Sequence, residues 1–190
     1  MRTKLLAGLL FAGAGAVVAC NPDAGGAIRA DDAAILRAIL ATSCKAFDGQ
    51  FDAISDLPAS AERVTELAAD AKLADDVASD LLRRASSSDK WAHVDVCASR
   101  RVLDGTEVEG LIARSGRIPA DWADFYAAYP GVRALCRLSL PAYTRDRTSA
   151  VVLGACAHDI YSQWADEYQL EKTGGQWRLR ERRVLWVRSF

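Results

Sequence analysis

Apolar side chains recur at helical intervals between residues 31 and 85, and from residue 132 onward the interval shortens to two. Residues 31–40, DDAAILRAIL, place Ile35, Leu36, Ile39 and Leu40 on one face of a helix, with Asp31 or Asp32 at its amino end as cap. Residues 42–47 read as a short strand or as the turn out of that helix, and Asp56-Leu57-Pro58 marks a break. Ser60 to Ala85 has no Gly or Pro, and Val64, Leu67, Val77 and Leu81 keep helical spacing. The pattern slips near Lys72, which predicts two helices or one bent helix, and Arg83-Arg84 sits in the last turn, where cations oppose the dipole.

Trp91 to Cys97, WAHVDVC, alternates and predicts a strand, and Asp104-Gly105 predicts a turn. Residues 119–129 return to helix, with Trp122, Phe125, Tyr126 and Tyr129 as an aromatic stripe that reads as a core face. The last sixty residues read as an antiparallel meander with strands near 132–140, 149–157, 164–172 and 176–188. Trp164, Tyr168, Leu170, Trp177, Leu179 and Trp186 supply its large buried surface. The fold class is therefore α+β, with N-terminal helices packed on a C-terminal antiparallel β-meander.

The first twenty residues follow another rule. Arg2 and Lys4 form a basic start, and Leu5 to Ala19 carries no charge. Fifteen helical residues span about 22 Å, short of the ~30 Å bilayer core, so the segment reads as a signal peptide. Its end, Val17-Val18-Ala19-Cys20, resembles the lipobox of bacterial lipoprotein signals. That resemblance implies cleavage before Cys20, a diacylglyceryl thioether on its sulfur and acylation of the new amino terminus. Two or more chains give stable anchoring where one does not. Asn21 follows the lipidated Cys; in enteric bacteria an Asp there favours the inner membrane, so Asn21 points to the outer membrane, facing the periplasm. Asn21 to Gly26, rich in Pro, Gly and Asp, suits a tether. The expected organisation is a signal peptide over 1–19, a flexible tether over 20–28 and one α+β domain over 29–190.

Export places the four remaining cysteines, Cys44, Cys97, Cys136 and Cys156, in an oxidising compartment. Four cysteines permit three connectivities. Cys136 and Cys156 lie symmetrically about Asp146, opposite each other on the paired strands of a hairpin, which favours that disulfide and leaves Cys44 to pair with Cys97. Four buried free thiols are the alternative.

Charge narrows the function further. The whole chain carries −1, which excludes a strongly basic nucleic-acid binder, and loss of Arg2 and Lys4 takes the mature chain to −3. Residues 20–98 carry an acidic excess and residues 99–190 a basic one. The basic end, Trp177 to Arg183, offers Arg178, Arg180, Arg182 and Arg183 as a candidate binding face for anionic lipid, glycan or protein, or as a charged outer strand face that discourages aggregation.

The carboxyl half resembles a group of small exported bacterial proteins. The resemblance rests on Ser139-Leu140-Pro141-Ala142-Tyr143, Ala150-Val151-Val152, Cys156, Leu170-Glu171-Lys172, Gly175-Gln176-Trp177 and Trp186-Val187-Arg188-Ser189. The group often has Phe where Tyr143 stands, and a second Cys with glycines where this chain reads Ala157-His158-Asp159-Ile160. The resemblance implies an α+β fold with a sheet meander and brings no activity with it.

A P-loop, GxSxG, HExxH and CxxC are all absent, and no cofactor is implied. His93 and His158 are the chain's two histidines. His93 with Asp95 is the acid–base alternative, and His93, Cys97, Cys156 and His158 form a Cys₂His₂ alternative that competes with the disulfides. The expectation is no catalytic and no metal site. The protein reads as a lipid-anchored envelope protein that binds a protein partner, of inhibitor or immunity type by size and tether. An envelope enzyme using His93 and Asp95, or a purely structural lipoprotein, is the alternative.

Overall fold

A computed structural model describes residues 23–42, 44, 51–94, 97, 99–114, 122–158 and 162–189. Signal residues 1–19, Cys20 and Asp95 lie outside the described residues. The elements are α1 (Asp23–Ala41), β1 (Phe51–Ser55), α2 (Ala61–Ala71), α3 (Asp75–Ala85), β2 (Arg100–Leu103), α4 (Gly105–Arg114), α5 (Ala123–Ala128), β3 (Val132–Leu138), β4 (Ala142–Tyr143), β5 (Ser149–Ala157), β6 (Ser162–Thr173) and β7 (Gln176–Ser189). One sheet runs β2-β1-β3-β5-β6-β7, with β4 added alongside β5. β1 pairs parallel with β2 and β3, and the other pairings are antiparallel. The α+β class holds, with helices early and a long antiparallel meander late. No helix among the described residues is long and apolar enough to cross a membrane.

Strand alternation sends neighbouring residues to opposite faces of this sheet. On one face α1 lays Ile35, Leu36, Ile39 and Leu40 against Val152, Tyr168, Leu170 and Trp177. On the other face α2 and α3 bury Val64, Leu67, Val77 and Leu81 against Leu153 and Ala165. On that same face α4 and α5 bury Val108 and Phe125 against Phe51, Val132 and Leu135. The aromatic stripe is thus a core face: Phe125 is fully buried and Trp122, Tyr126 and Tyr129 pack around it.

The local signals act where the chemistry places them. The Ser60 hydroxyl accepts from the Arg63 N–H at 3.3 Å and caps α2, which ends at Lys72 in the left-handed region. That residue separates the two helices at the slip in the apolar period. Thr173 pairs with Gln176, so Gly174 and Gly175 form a two-residue hairpin loop, both with positive φ as a primed turn requires. At Gly154 on β5 an added Cβ would stand 2.7 Å from Leu138 Cδ2 and 3.2 Å from Tyr168 Cε2, so a side chain there would force the buried Leu138 to shift.

Four expectations are corrected. α1 begins at Asp23, eight residues before Asp31, so it takes in most of the expected 20–28 tether and leaves neither Asp31 nor Asp32 as a cap. Once Ile35 to Leu40 are docked, extending a helix adds one bond per residue fixed, which offsets the cost of Gly25 and Gly26. The described part of Trp91 to Cys97 is not a strand. Trp91 and Val94 are buried and Ala92 and His93 exposed, so the segment packs by its first and fourth residues, held by Trp91 N–H to Asp56 C=O at 2.9 Å. Asp104-Gly105 is a helix start: the Asp104 carboxylate accepts from Thr106 N–H at 2.8 Å and Glu107 N–H at 3.1 Å and caps α4. The interval 51–55, without a strand signal of its own, forms β1 beside the sheet's centre. The expected strand or turn over 42–47 falls mostly outside the described residues.

Candidate functional site

The carboxyl-terminal arginines divide into two kinds. β7 is an edge strand of 14 residues, and β-bulges opposite Ala165/Asp166 and Gln169/Leu170 re-aim its side chains. β6 carries two buried acids in succession, Asp166 and Glu167, each 1% exposed and on opposite faces. Arg182 Nη2 donates to Asp166 Oδ2 at 2.8 Å. Arg183 Nε donates to Glu167 Oε2 at 3.0 Å, and its Nη2 donates to the Ala71 carbonyl at 2.6 Å, tying β7 to the end of α2. The hydrogen bond to Asp166 holds the Arg182 guanidinium above its usual range, and the bond to Glu167 does the same for Arg183. Beside them burial, then the Asp166 charge, pushes the Tyr168 hydroxyl up to about 12. Arg182 and Arg183 are therefore counter-ions of a buried pair of acids.

Arg178 and Arg180 are different. Both are exposed, and neither makes an ion pair among the described residues. Val184 and Val187 stand 55% and 68% exposed on the same strand, and Arg188 lies over the Trp186 ring at 4.5 Å. As the edge strand of the sheet, β7 thus carries two exposed guanidiniums without an ion pair among the described residues near its start, Arg178 opposite Glu171 of β6, and exposed apolar side chains nearer its end.

Two further ionic clusters bind the layers. Asp52 on β1 is 2% exposed and accepts from Arg133 Nε at 2.8 Å and Nη2 at 2.7 Å, with Arg100 Nη1 at 2.5 Å. The register shift between Phe51 and Asp52 turns Arg133 toward it. On α1, Asp32 accepts from Arg84 Nη1 at 3.0 Å and Nη2 at 2.6 Å and from the Tyr143 hydroxyl at 2.6 Å. Burial, then the bond to Asp32, drives the Tyr143 phenol far above its ordinary range. Arg84 and Tyr143 also line an open polar concavity of about 640 Å³ between α3 and the 144–147 turn. Its wall holds Asp75, Asp76, Asp80 and Asp89 beside Arg83, Arg84, Arg145 and Arg147, so the opposing charges balance.

The neighbouring Asp31 accepts from Trp177 Nε1 and Lys172 Nζ, both at 2.9 Å, and from Arg147 Nη2 at 3.0 Å. Burial pushes its carboxyl up, but the Trp177 and Lys172 hydrogen bonds and the two cations outweigh it and hold the group below the ordinary 3.8. A carboxylate held low in the folded chain contributes stability that is full above the unfolded value and is lost as pH falls through the folded one. Asp31→Asn is therefore expected to melt earlier than the parent at neutral pH. The gap should close as pH drops below about 4, measured by thermal melts across pH. An unchanged gap down to acid would remove Asp31 from the pH response.

The structure pairs Cys136 with Cys156, Cα atoms 4.0 Å apart and directly opposite across β3 and β5, and Cys44 with Cys97, Cα atoms 5.7 Å apart. Both sulfurs of the Cys₂His₂ alternative are thereby in disulfides, and no metal-binding group of three or more His, Cys, Asp or Glu occurs among the described residues. His93 is exposed, and its partner in the acid–base alternative, Asp95, lies outside the described residues. His158 is exposed, with its Nδ1 against the Arg133 carbonyl, while the Tyr126 hydroxyl donates to the His158 carbonyl.

Sequence reasoning missed the roles of Asp31 and Asp32. The signal was present: Asp32 precedes Ile35 and Leu36 by three and four residues, which sets a carboxylate on the buried stripe of α1. In comparison with known proteins, the chain matches no family model, no curated protein and no solved structure.

Proposed function

We propose that this is a lipid-anchored protein of the bacterial cell envelope that works by binding an acidic protein partner along the β7 edge. The anchor reading rests on the basic start, the uncharged run and the Val17-Val18-Ala19-Cys20 ending. The binding reading is carried by one observation: Arg178 and Arg180 stay exposed without an ion pair among the described residues while Arg182 and Arg183 are engaged by buried acids. A long edge strand offers its backbone donors and acceptors to an incoming strand. Two free guanidiniums on that edge disfavour a second copy of the same strand, since antiparallel self-pairing brings like charges together, and favour an acidic segment. Val184 and Val187 then supply apolar contact further along the same strand.

The test places a photoreactive residue at Val184 or Val187 in the full chain expressed in its own cells, with the exposed Thr106 at the start of α4, next to the opposite edge strand β2, as the distant control. A discrete adduct with one acidic envelope protein is expected from the β7 positions and not from Thr106. The adduct should weaken at raised salt and vanish in Arg178→Glu/Arg180→Glu. With Cys20→Ser the protein should carry no fatty-acid label and the adduct should leave the membrane fraction. An adduct indifferent to the charge reversal, or none from β7, rejects the edge as the binding surface. Fatty-acid label on Cys20→Ser rejects the anchor.

A further inference from the structure

The course of α1 fixes where the chain leaves the domain toward Cys20. Ile39 and Leu40, near its carboxyl end, pack with Ile54, Leu138 and Tyr168. Earlier in the helix, Asp31 meets Lys172, Trp177 and Arg147 beside the β6–β7 hairpin, and Arg29 stands 3.9 Å from Asp89, past the end of α3. The Lys172 N–H donates to the Thr148 carbonyl, so the 144–148 turn and the Gly174-Gly175 loop lie at the same end of the sheet. From Asp31 the helix continues backward for eight residues, to Asp23. At 1.5 Å per residue this carries its start about 12 Å further out, away from the core that Ile39 and Leu40 enter.

Cys20 is three residues from Asp23, and three residues reach at most about 11 Å even when fully extended. The other end of the sheet, at Ser189, is out of that range, because the 14 residues of β7 span about 45 Å. The surface beside the start of α1 is made of polar tips. Thr144 to Thr148 reads TRDRT and Thr173 to Gln176 reads TGGQ, with no large apolar side chain in either. Arg147 is paired with Asp31, and the Asp146 carboxylate accepts from the Thr144 and Thr148 hydroxyls. Arg145 is exposed and makes no ion pair among the described residues. Such tips suit a layer of lipid headgroups and not the hydrocarbon beneath, where a charge is costly.

We infer that the domain stands end-on on the membrane that holds Cys20, with the 144–148 turn and the Gly174-Gly175 loop against lipid headgroups and Arg145 at their phosphates. The inference rests on the lipid-anchor reading and is independent of the partner assigned to β7. The first turns of α1 act as a short stalk in place of a long tether. Val184 and Val187, nine and twelve residues beyond Gly175, then stand about 30–40 Å above the headgroups, clear of the bilayer.

The mature protein carrying its lipid, reconstituted in vesicles of phosphatidylethanolamine and phosphatidylglycerol in equal parts, tests this. A fluorescent amino acid is encoded at Thr173 or at Val187, and a fraction of the lipid bears a nitroxide on its headgroup, which quenches at contact range. Strong quenching is expected at 173, and at 187 none beyond that in nitroxide-free vesicles. Inserting twelve Gly and Ser residues between Pro22 and Asp23 adds about 20 Å of flexible reach and should lower the quenching at 173. Arg145→Glu should lower it as well, by repulsion from phosphatidylglycerol. Mass spectrometry of the amino-terminal peptide reports the lipid separately. A Cys20 without lipid overturns the anchor and the orientation together. A lipidated Cys20 with equal quenching at both labels, or with quenching at 173 that neither the insertion nor Arg145→Glu changes, overturns the orientation alone.

Discussion

Asp32→Leu is expected to lower the unfolding free energy by about 3–5 kcal/mol, the range for removing one partner of a buried ion pair. Arg84 is 5% exposed, and a guanidinium cannot shed its proton to escape burial. With Asp32 gone, its Nη1 keeps only the Pro141 carbonyl at 2.6 Å, and the Tyr143 hydroxyl loses its acceptor. Such a loss is a large share of the ~5–15 kcal/mol by which domains of this size are stable. The pair also links the two helix layers, because α1 and α3 cover opposite faces and Arg84 reaches Asp32 past β4. Asp32→Leu with Arg84→Met removes both charges together and should recover most of the loss, since apolar replacements of a buried pair are often neutral. Urea unfolding of the parent, the single and the double variant measures this. A double variant no more stable than the single would show that packing of the side chains, and not an orphaned charge, sets the cost.

Replacing Cys44 and Cys97 together by alanine should cost about 4 kcal/mol, from a closed loop of 53 residues. The Cys136–Cys156 pair, closing 20 residues, should contribute nearer 3 kcal/mol on the same chain-entropy argument. Melting temperatures of the two double variants give the order directly. Access separates the bridges in a second way. Cys44 is exposed, whereas Cys136 and Cys156 are 2% and 5% exposed inside the α1-side core. Thiol exchange requires a thiolate to reach a sulfur. Under mild reductant, alkylation and peptide mapping should therefore label Cys44 and Cys97 before Cys136 and Cys156. Labelling in the reverse order would mean that the β3–β5 hairpin opens locally more readily than α1's end detaches.

The two helices meeting at Lys72, the aromatic core stripe of α5 and the strands from Val132 onward were legible because each rests on local periodicity and turn chemistry. So was the disulfide geometry across β3 and β5, since a hairpin centred near Asp146 sets its own register. β1 was not legible: FDAIS is buried at all five positions and contains an Asp, so it lacks the alternation of a half-exposed strand. Asp52 survives there only because Arg100 from β2 and Arg133 from β3, both remote in sequence, converge on it. The same limit governs the charged residues. Arg178, Arg180, Arg182 and Arg183 look alike in sequence, and bulges in β7 together with the buried Asp166 and Glu167 decide which two are neutralised. Asp31 and Asp32 look like a helix cap until Lys172, Trp177, Arg84 and Tyr143 arrive from other elements. Local order follows from spacing along the chain, because neighbours interact whatever the rest of the protein does. The state of a charge depends on which distant side chains share its low-dielectric surroundings, and those are brought together only by the tertiary fold.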